Sequence, residues 1–320
     1  MGKPLGFSLL TLFYIKSTVG FMTHSSSNWF LSSGYKQGVF WAVLTALVSI
    51  SNDVITKFVG TRLNGLEISF FRFFFSMVTV LPFMLPHGLK AFKTERADLH
   101  IWRAVIGVAA IALYVFSLIF LPLAEVTVFS FTQPLFFMPI AIIFLKERVS
   151  LNRWIACLFG FIGILIVIQP GTMSFKVASL LPMGAAFLFA MLDMLAKKMV
   201  TKESTTTLLF YFALGTTLAA LGPALYVWQT PTWEELGWLF CLGAGANLIQ
   251  VCLFRAFSAT DASSLAPFRY TELVFATLFG YLFFNELPSV IVYLGAAIII
   301  GSTLYLSYSE VRRSRRAYTL

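Results

Sequence analysis

The chain has 320 residues, 58% of them hydrophobic, 17% aromatic and only 12% charged, a balance that excludes a soluble globular domain. A net charge of +9 would suit a nucleic-acid partner, but the basic residues are spaced out between long apolar runs instead of forming one patch, which points to a lipid bilayer and no nucleic acid. Cys157, Cys241 and Cys252 all fall inside apolar runs, where cysteine acts as a small hydrophobe, so no disulfide framework is implied.

In chain order, residues 1–37 form an N-terminal extension. Its apolar start is interrupted by Lys16, and Met22 opens a polar MTHSSSN segment, so residues 1–21 read as a misassigned translation start, with an interfacial anchor helix as the alternative. Ten apolar runs follow, at 38–58, 66–86, 101–121, 124–145, 152–169, 178–198, 207–228, 236–256, 262–284 and 289–308. Each approaches the roughly 20 residues that a helix needs to cross a hydrocarbon core. Residues 309–320 make a basic tail. The fold class is therefore an all-α polytopic membrane protein; a β-barrel would show short alternating segments instead. With both termini placed inside, 18 of the 23 Lys and Arg residues lie in inside loops and tails, and only Lys57, Arg62 and Lys176 lie outside. That asymmetry predicts an N-in, C-in orientation.

Sliding the chain by 140 positions places Asp53 on Asp193, Lys57 on Lys197, Thr61 on Thr201, Arg62 on Lys202, Phe70 on Phe210 and Phe71 on Tyr211. A one-residue adjustment places Glu147 on Glu286. The expected organisation is two five-helix repeats, 38–170 and 178–308, joined by a linker at 171–177. An odd number of spans turns the second copy upside down relative to the first, as in carriers that work by alternating access.

Charges within the spans are the candidate functional residues. Asp53 and Asp193 each stand four residues before a lysine. The pairs can form local i,i+4 bridges with the lysines reaching the interface, or the aspartates can face a gate or cavity. Arg269 and Glu272 share one helix face in APFRYTELV, and Pro267 just upstream predicts a bend or hinge beside them. This pair reads as a substrate site, with a structural salt bridge as the alternative. Arg72, within FFRFFF, either pairs with Glu67 or Asp53 or offers its planar fork to a substrate carboxylate. Tyr270, Tyr211, Tyr114 and Trp41 are candidates for stacking on a ligand ring.

The histidines His24, His87 and His100 all lie outside the expected spans, and H-E-x-x-H, G-x-S-x-G, P-loop and CxxC motifs are absent from the sequence. No enzyme, metal site or cofactor is expected. A channel fits two inverted halves less well than a carrier does, and a non-transporting scaffold would have no reason to repeat intramembrane charge in both halves.

Ten helices in two five-helix repeats, the RWIACLFGFIGILIVIQPG close of the first repeat, and Glu147 and Glu286 at the ends of the fourth and ninth spans resemble the EamA domain of the drug/metabolite transporter superfamily. More narrowly, SNDVITKFVGTRL, EISFFRFFFS, FAMLDMLAKKMVTKES and APFRYTELV are similar to S-adenosylmethionine uptake carriers of obligate intracellular bacteria. The resemblance implies a multi-pass protein of the bacterial inner membrane with a central cavity. It also implies uptake of S-adenosylmethionine, in exchange for S-adenosylhomocysteine, with no cofactor. Carriers or exporters of riboflavin, amino acids or other metabolites share the plan and remain the alternative. The sequence is compatible with a homo-oligomer.

Overall fold

In a computed structural model of the chain, residues 34–84, 94, 96–145, 151–169, 176–199, 205–259, 265 and 268–318 are described, and their regular structure is helical throughout. The helices are α1 (Tyr35–Val59), α2 (Gly65–Met84), α3 (Ala97–Phe120), α4 (Leu123–Ser130), α5 (Gln133–Leu145), α6 (Leu151–Ile168), α7 (Leu180–Met199), α8 (Thr205–Tyr226), α9 (Trp233–Ala259), α10 (Thr271–Phe284) and α11 (Val290–Tyr318). A short 3-10 turn, Val177–Ser179, leads into α7.

Local chemistry sets several of the ends. Asn64 Oδ1 accepts the Leu66 N–H at 3.0 Å and starts α2. Thr232 and Glu235 form a reciprocal capping box on α9: the Thr232 N–H donates to Glu235 Oε2 at 2.7 Å, and the Glu235 N–H donates to Thr232 Oγ1 at 3.3 Å. Leu121 is extended, as a residue before proline must be, and separates α3 from α4. Asn285 closes α10 in the left-handed region at φ 54°, a conformation asparagine tolerates better than most side chains.

Among the described residues, seven segments are long and apolar enough to cross a membrane: Lys36–Val59, Gly65–Met84, Ala97–Phe120, Leu123–Phe144, Val177–Ala196, Thr207–Tyr226 and Trp233–Ala259. The other three expected runs appear as shorter apolar stretches, Leu158–Ile168, Thr271–Phe284 and Val290–Tyr305. The expected run at 262–284 is divided because the chain turns at Tyr270 before α10 begins. The expected run at 124–145 is likewise divided, by a turn at Phe131–Thr132 between α4 and α5. Residues 1–21 and Pro267 lie outside the described residues.

The packing has a two-fold logic. Helix α9 packs on α1 and α2, while α3 packs on α7 and α8; α10 packs on α1, while α5 packs on α7. Each of these contacts becomes the other when α1, α2, α3, α4/α5 and α6 are exchanged for α7, α8, α9, α10 and α11. The pairs α2 with α8, α4 with α10 and α6 with α11 map onto themselves. The two halves are interleaved, and among the described residues each buried apolar cluster draws on helices from both.

Helix α9 wedges between α1 and α2 through GAGA at 243–246. A Cβ on Gly243 would stand 2.5 Å from Phe75 Cβ and 2.7 Å from the Ser76 backbone nitrogen, and one on Gly245 would run into Asn52 Oδ1. Only glycine lets helix backbones approach this closely, the usual device where lipid gives no hydrophobic incentive for helices to associate. Side-chain amides then tie the wedge in place. Asn52 Nδ2 donates to Leu242 O at 3.2 Å, and Asn247 Nδ2 donates to Ser76 O at 2.8 Å and Thr79 Oγ1 at 2.6 Å.

Candidate functional site

The interleaving brings charged side chains from both halves together. Asp53, on α1, is only 4% exposed, and its Oδ2 accepts a 2.8 Å hydrogen bond from the Tyr114 hydroxyl on α3. Arg72 on α2 and Glu272 on α10 lie within electrostatic reach of both Asp53 and Tyr114. Arg72 makes no ion pair with a described residue, and its Nη1 is buried without a hydrogen-bond partner. A buried guanidinium nitrogen left unsatisfied is costly, so its retention needs a reason.

The cluster continues into the other half. Arg269 lies within reach of both Glu272 and Asp193. Asp193, on α7, accepts a 2.7 Å hydrogen bond from Gln133 Nε2 at the start of α5. A line of polar groups thus runs from Arg72 through Asp53, Glu272 and Arg269 to Asp193 and Gln133. Asp193 and Arg269 carry exposed surface, whereas Asp53 is sealed, so the cluster is open at the Asp193 end and closed at the other.

The closed end is built by Lys57. Its Nζ meets Glu286 Oε1 at 2.5 Å and donates to Leu121 O at 2.6 Å, and the side chain lies over the Phe284 ring. Glu286 in turn accepts the Leu123 N–H at 3.0 Å, one of the free amides at the start of α4. The left-handed Asn285 turns Glu286 back toward these partners, and the Glu286 N–H reaches Gly280 O at 2.9 Å. Beyond this layer, Arg62 grips Glu235 with both Nε and Nη2 and donates to Thr230 O at 3.2 Å. The local Lys57–Asp53 bridge read from the sequence is therefore not formed. Lys57 pairs across the repeats with Glu286, and Asp53 takes its bond from Tyr114.

Glu67 is not the partner of Arg72; its Oε2 accepts the Gln229 N–H at 3.2 Å. Arg269 and Glu272 interact electrostatically without a contact ion pair between them. Tyr270 donates to or accepts from Thr303 Oγ1, and its ring meets Phe131 edge-on at 5.0 Å between centroids. Trp41 stands about three turns of helix before Asp53, with its ring edge-on to Phe40. Tyr211 faces His100, ring to ring at 4.8 Å, away from the Asp53 group. Sequence reading missed Gln133, although its signal was present: the register that places Glu147 on Glu286 also places Gln133 on Glu272.

The sequence profile described as the EamA-like transporter family matches residues 36–169 and 176–308, one copy for each half. The chain is 40% identical over 284 residues to an S-adenosylmethionine uptake transporter of Rickettsia felis, covering 89% of this chain and 97% of that protein. It is 31% identical to a riboflavin transporter of Vibrio cholerae over 88% of this chain and 96% of that protein. At 27% identity it is also similar to a pseudopaline exporter of Pseudomonas aeruginosa, over 86% of this chain and 97% of the exporter. One solved protein structure superposes with a TM-score of 0.57 at 15% identity, over 86% of this chain and 96% of the other, a likeness of fold alone. Two profile matches, one on each half of an interleaved helical bundle, together with relatives aligned almost end to end, establish that the chain belongs to the EamA-like transporter family.

Proposed function

We propose that the chain is a secondary transporter that takes up S-adenosylmethionine across the bacterial inner membrane by alternating access, in exchange for S-adenosylhomocysteine. The observation that carries this reading is the Arg72, Asp53, Tyr114 and Glu272 group, where the two halves meet: a guanidinium with one buried, unpartnered nitrogen lies within reach of Asp53, and Asp53 lies within reach of Glu272. S-adenosylmethionine offers a carboxylate for the arginine fork and two cations, sulfonium and ammonium, for the acids. Its adenine ring suits aromatic faces such as Tyr270 and Tyr114, and Trp41 is assigned to the approach. Relatives about 40% identical that carry this name support the substrate.

The chain crosses the membrane ten times as two inverted repeats, 38–170 and 178–308, with both termini cytoplasmic. Supporting this, Lys57 with Glu286, Arg62 with Glu235 and Lys176 with Glu125 each join ends that alternating crossings place on the outer side. In that orientation the sealed end faces outward and Asp193 faces the cytoplasm, so the structure is an inward-facing state. The alternative is an EamA carrier of another metabolite, which the riboflavin transporter of Vibrio cholerae at 31% identity supports.

The test is uptake of labelled S-adenosylmethionine into cells expressing the protein, chased with unlabelled S-adenosylhomocysteine, riboflavin and amino acids. Uptake competed by S-adenosylhomocysteine and not by riboflavin is expected. Uptake of riboflavin with none of S-adenosylmethionine moves the assignment to the alternative.

A further inference from the structure

The break recurs at equivalent sequence positions in the two halves. A shift of 139 positions places Phe129 on Phe268, Phe131 on Tyr270, Thr132 on Thr271 and Phe136 on Phe275, and it places Gln133 on Glu272. The turns fall at the same register, Phe131–Thr132 in one half and Tyr270 in the other, and the two equivalent rings touch edge-on where the halves meet. The aspartates facing these positions, Asp53 and Asp193, are also equivalents, at a shift of 140. The site thus contains two copies of one arrangement, an aspartate on the first helix of a repeat facing a residue just past the break in the other repeat.

The copies differ at the position just past the break, glutamine in one and glutamate in the other. Asp53 and Glu272 lie on helices packed together, α1 and α10, so two acceptors stand within electrostatic reach of each other. Asp193 faces Gln133, whose amide nitrogen already donates to Oδ2 at 2.7 Å. A carboxylate can only accept, so the amide must turn its nitrogen to Asp193. Its oxygen then accepts no hydrogen bond from a described residue. One copy suits a cation, and the other suits an uncharged group with N–H or O–H donors.

We propose that Gln133 is a substrate-contacting, specificity-determining residue, the uncharged counterpart of Glu272, and that it receives the neutral polar end of a substrate whose cationic end lies between Asp53 and Glu272. This rests on the transport reading above. An exocyclic amine or a sugar hydroxyl is the chemical class that fits the Gln133 oxygen. The inequality of positions 133 and 272 orients the substrate along the line of polar groups.

The experiment measures KM for labelled S-adenosylmethionine and its inhibition by the neutral S-adenosylhomocysteine in wild type, Gln133→Leu and Glu272→Gln, at matched amounts in the membrane. The two compounds share their neutral end and differ at the sulfur. Gln133→Leu is expected to weaken both about tenfold, leaving their ratio and the maximal rate within about twofold of wild type. Glu272→Gln is expected to weaken the sulfonium compound at least fivefold more than the neutral one. If Gln133→Leu does not reach the membrane, Gln133→Met is read in its place with the same expectation. Wild-type KM for both compounds, a fall in maximal rate alone, or a changed ratio in the Gln133 variant overturns the proposal. Absence of S-adenosylmethionine uptake by the wild type instead overturns the transport reading.

Discussion

Arg72 shows how a single residue exposes a demand the protein does not meet by itself. Its Nη1 is buried without a partner, while Asp53 has taken its hydrogen bond from Tyr114 at 2.8 Å. A ligand carboxylate would satisfy the fork with charge-assisted bonds of about 1.5–3 kcal/mol. Arg72→Gln is therefore expected to raise KM for S-adenosylmethionine by about tenfold or more at an unchanged amount of membrane protein. Arg72→Lys is expected to recover little of that loss, because an ammonium cannot engage a carboxylate bidentately. Uptake kinetics of both variants check this; wild-type KM in Arg72→Gln would make the guanidinium a packing element only. The residue type was legible in FFRFFF, and its intramembrane placement was enough to single it out. The sequence left its partner open between Glu67, Asp53 and a substrate carboxylate. Glu67 is in fact held by the Gln229 N–H, because the α8–α9 connection folds over the start of α2.

Among the helices, the most informative contacts are those between repeats. Lys57 and Glu286 are side chains only 11% and 20% exposed, so removing one strands the other with its charge uncompensated. Lys57→Met and Glu286→Gln are each expected to lower the melting temperature in detergent, at about 1–3 kcal/mol per orphaned group. The double variant is expected to be milder than either single one, and a strictly additive double would show that the pair is not coupled. The α9 wedge gives a second expectation with its own control. Gly243→Ala puts a methyl within 2.7 Å of the Ser76 backbone nitrogen, so α2 and α9 must separate and the folded yield should drop. Gly237→Ala on the same helix meets nothing within 4 Å and should be neutral or slightly stabilising. Equal yields from both would show that close approach at Gly243 is not needed. The GAGA string was readable in the sequence, but which helices it admits was not, since its contacts on α1 and α2 lie 190 and 171 residues away in sequence.

At the scale of the whole molecule, the proposed topology predicts cytoplasmic signals from reporter fusions placed after Met199 and after Arg313, and an external signal from one placed after Gln229. An external signal at Met199 would break the inverted-repeat arrangement. By itself the sequence determined the helical membrane class, the boundaries of most long spans, the repeat, and the charged residues worth attention. Those follow from local quantities: the hydropathy of about 20 consecutive residues, the distribution of Lys and Arg, and the cost of a charge in hydrocarbon. Only the tertiary structure decided the partners. It took Lys57 from its neighbour Asp53 to Glu286, gave Asp53 to Tyr114, linked Arg269 to Asp193 and brought Gln133 into the site. The physical reason is that an exposed i,i+4 pair is worth only a few tenths of a kcal/mol, whereas a buried charge must find whatever the interleaved helices bring within reach.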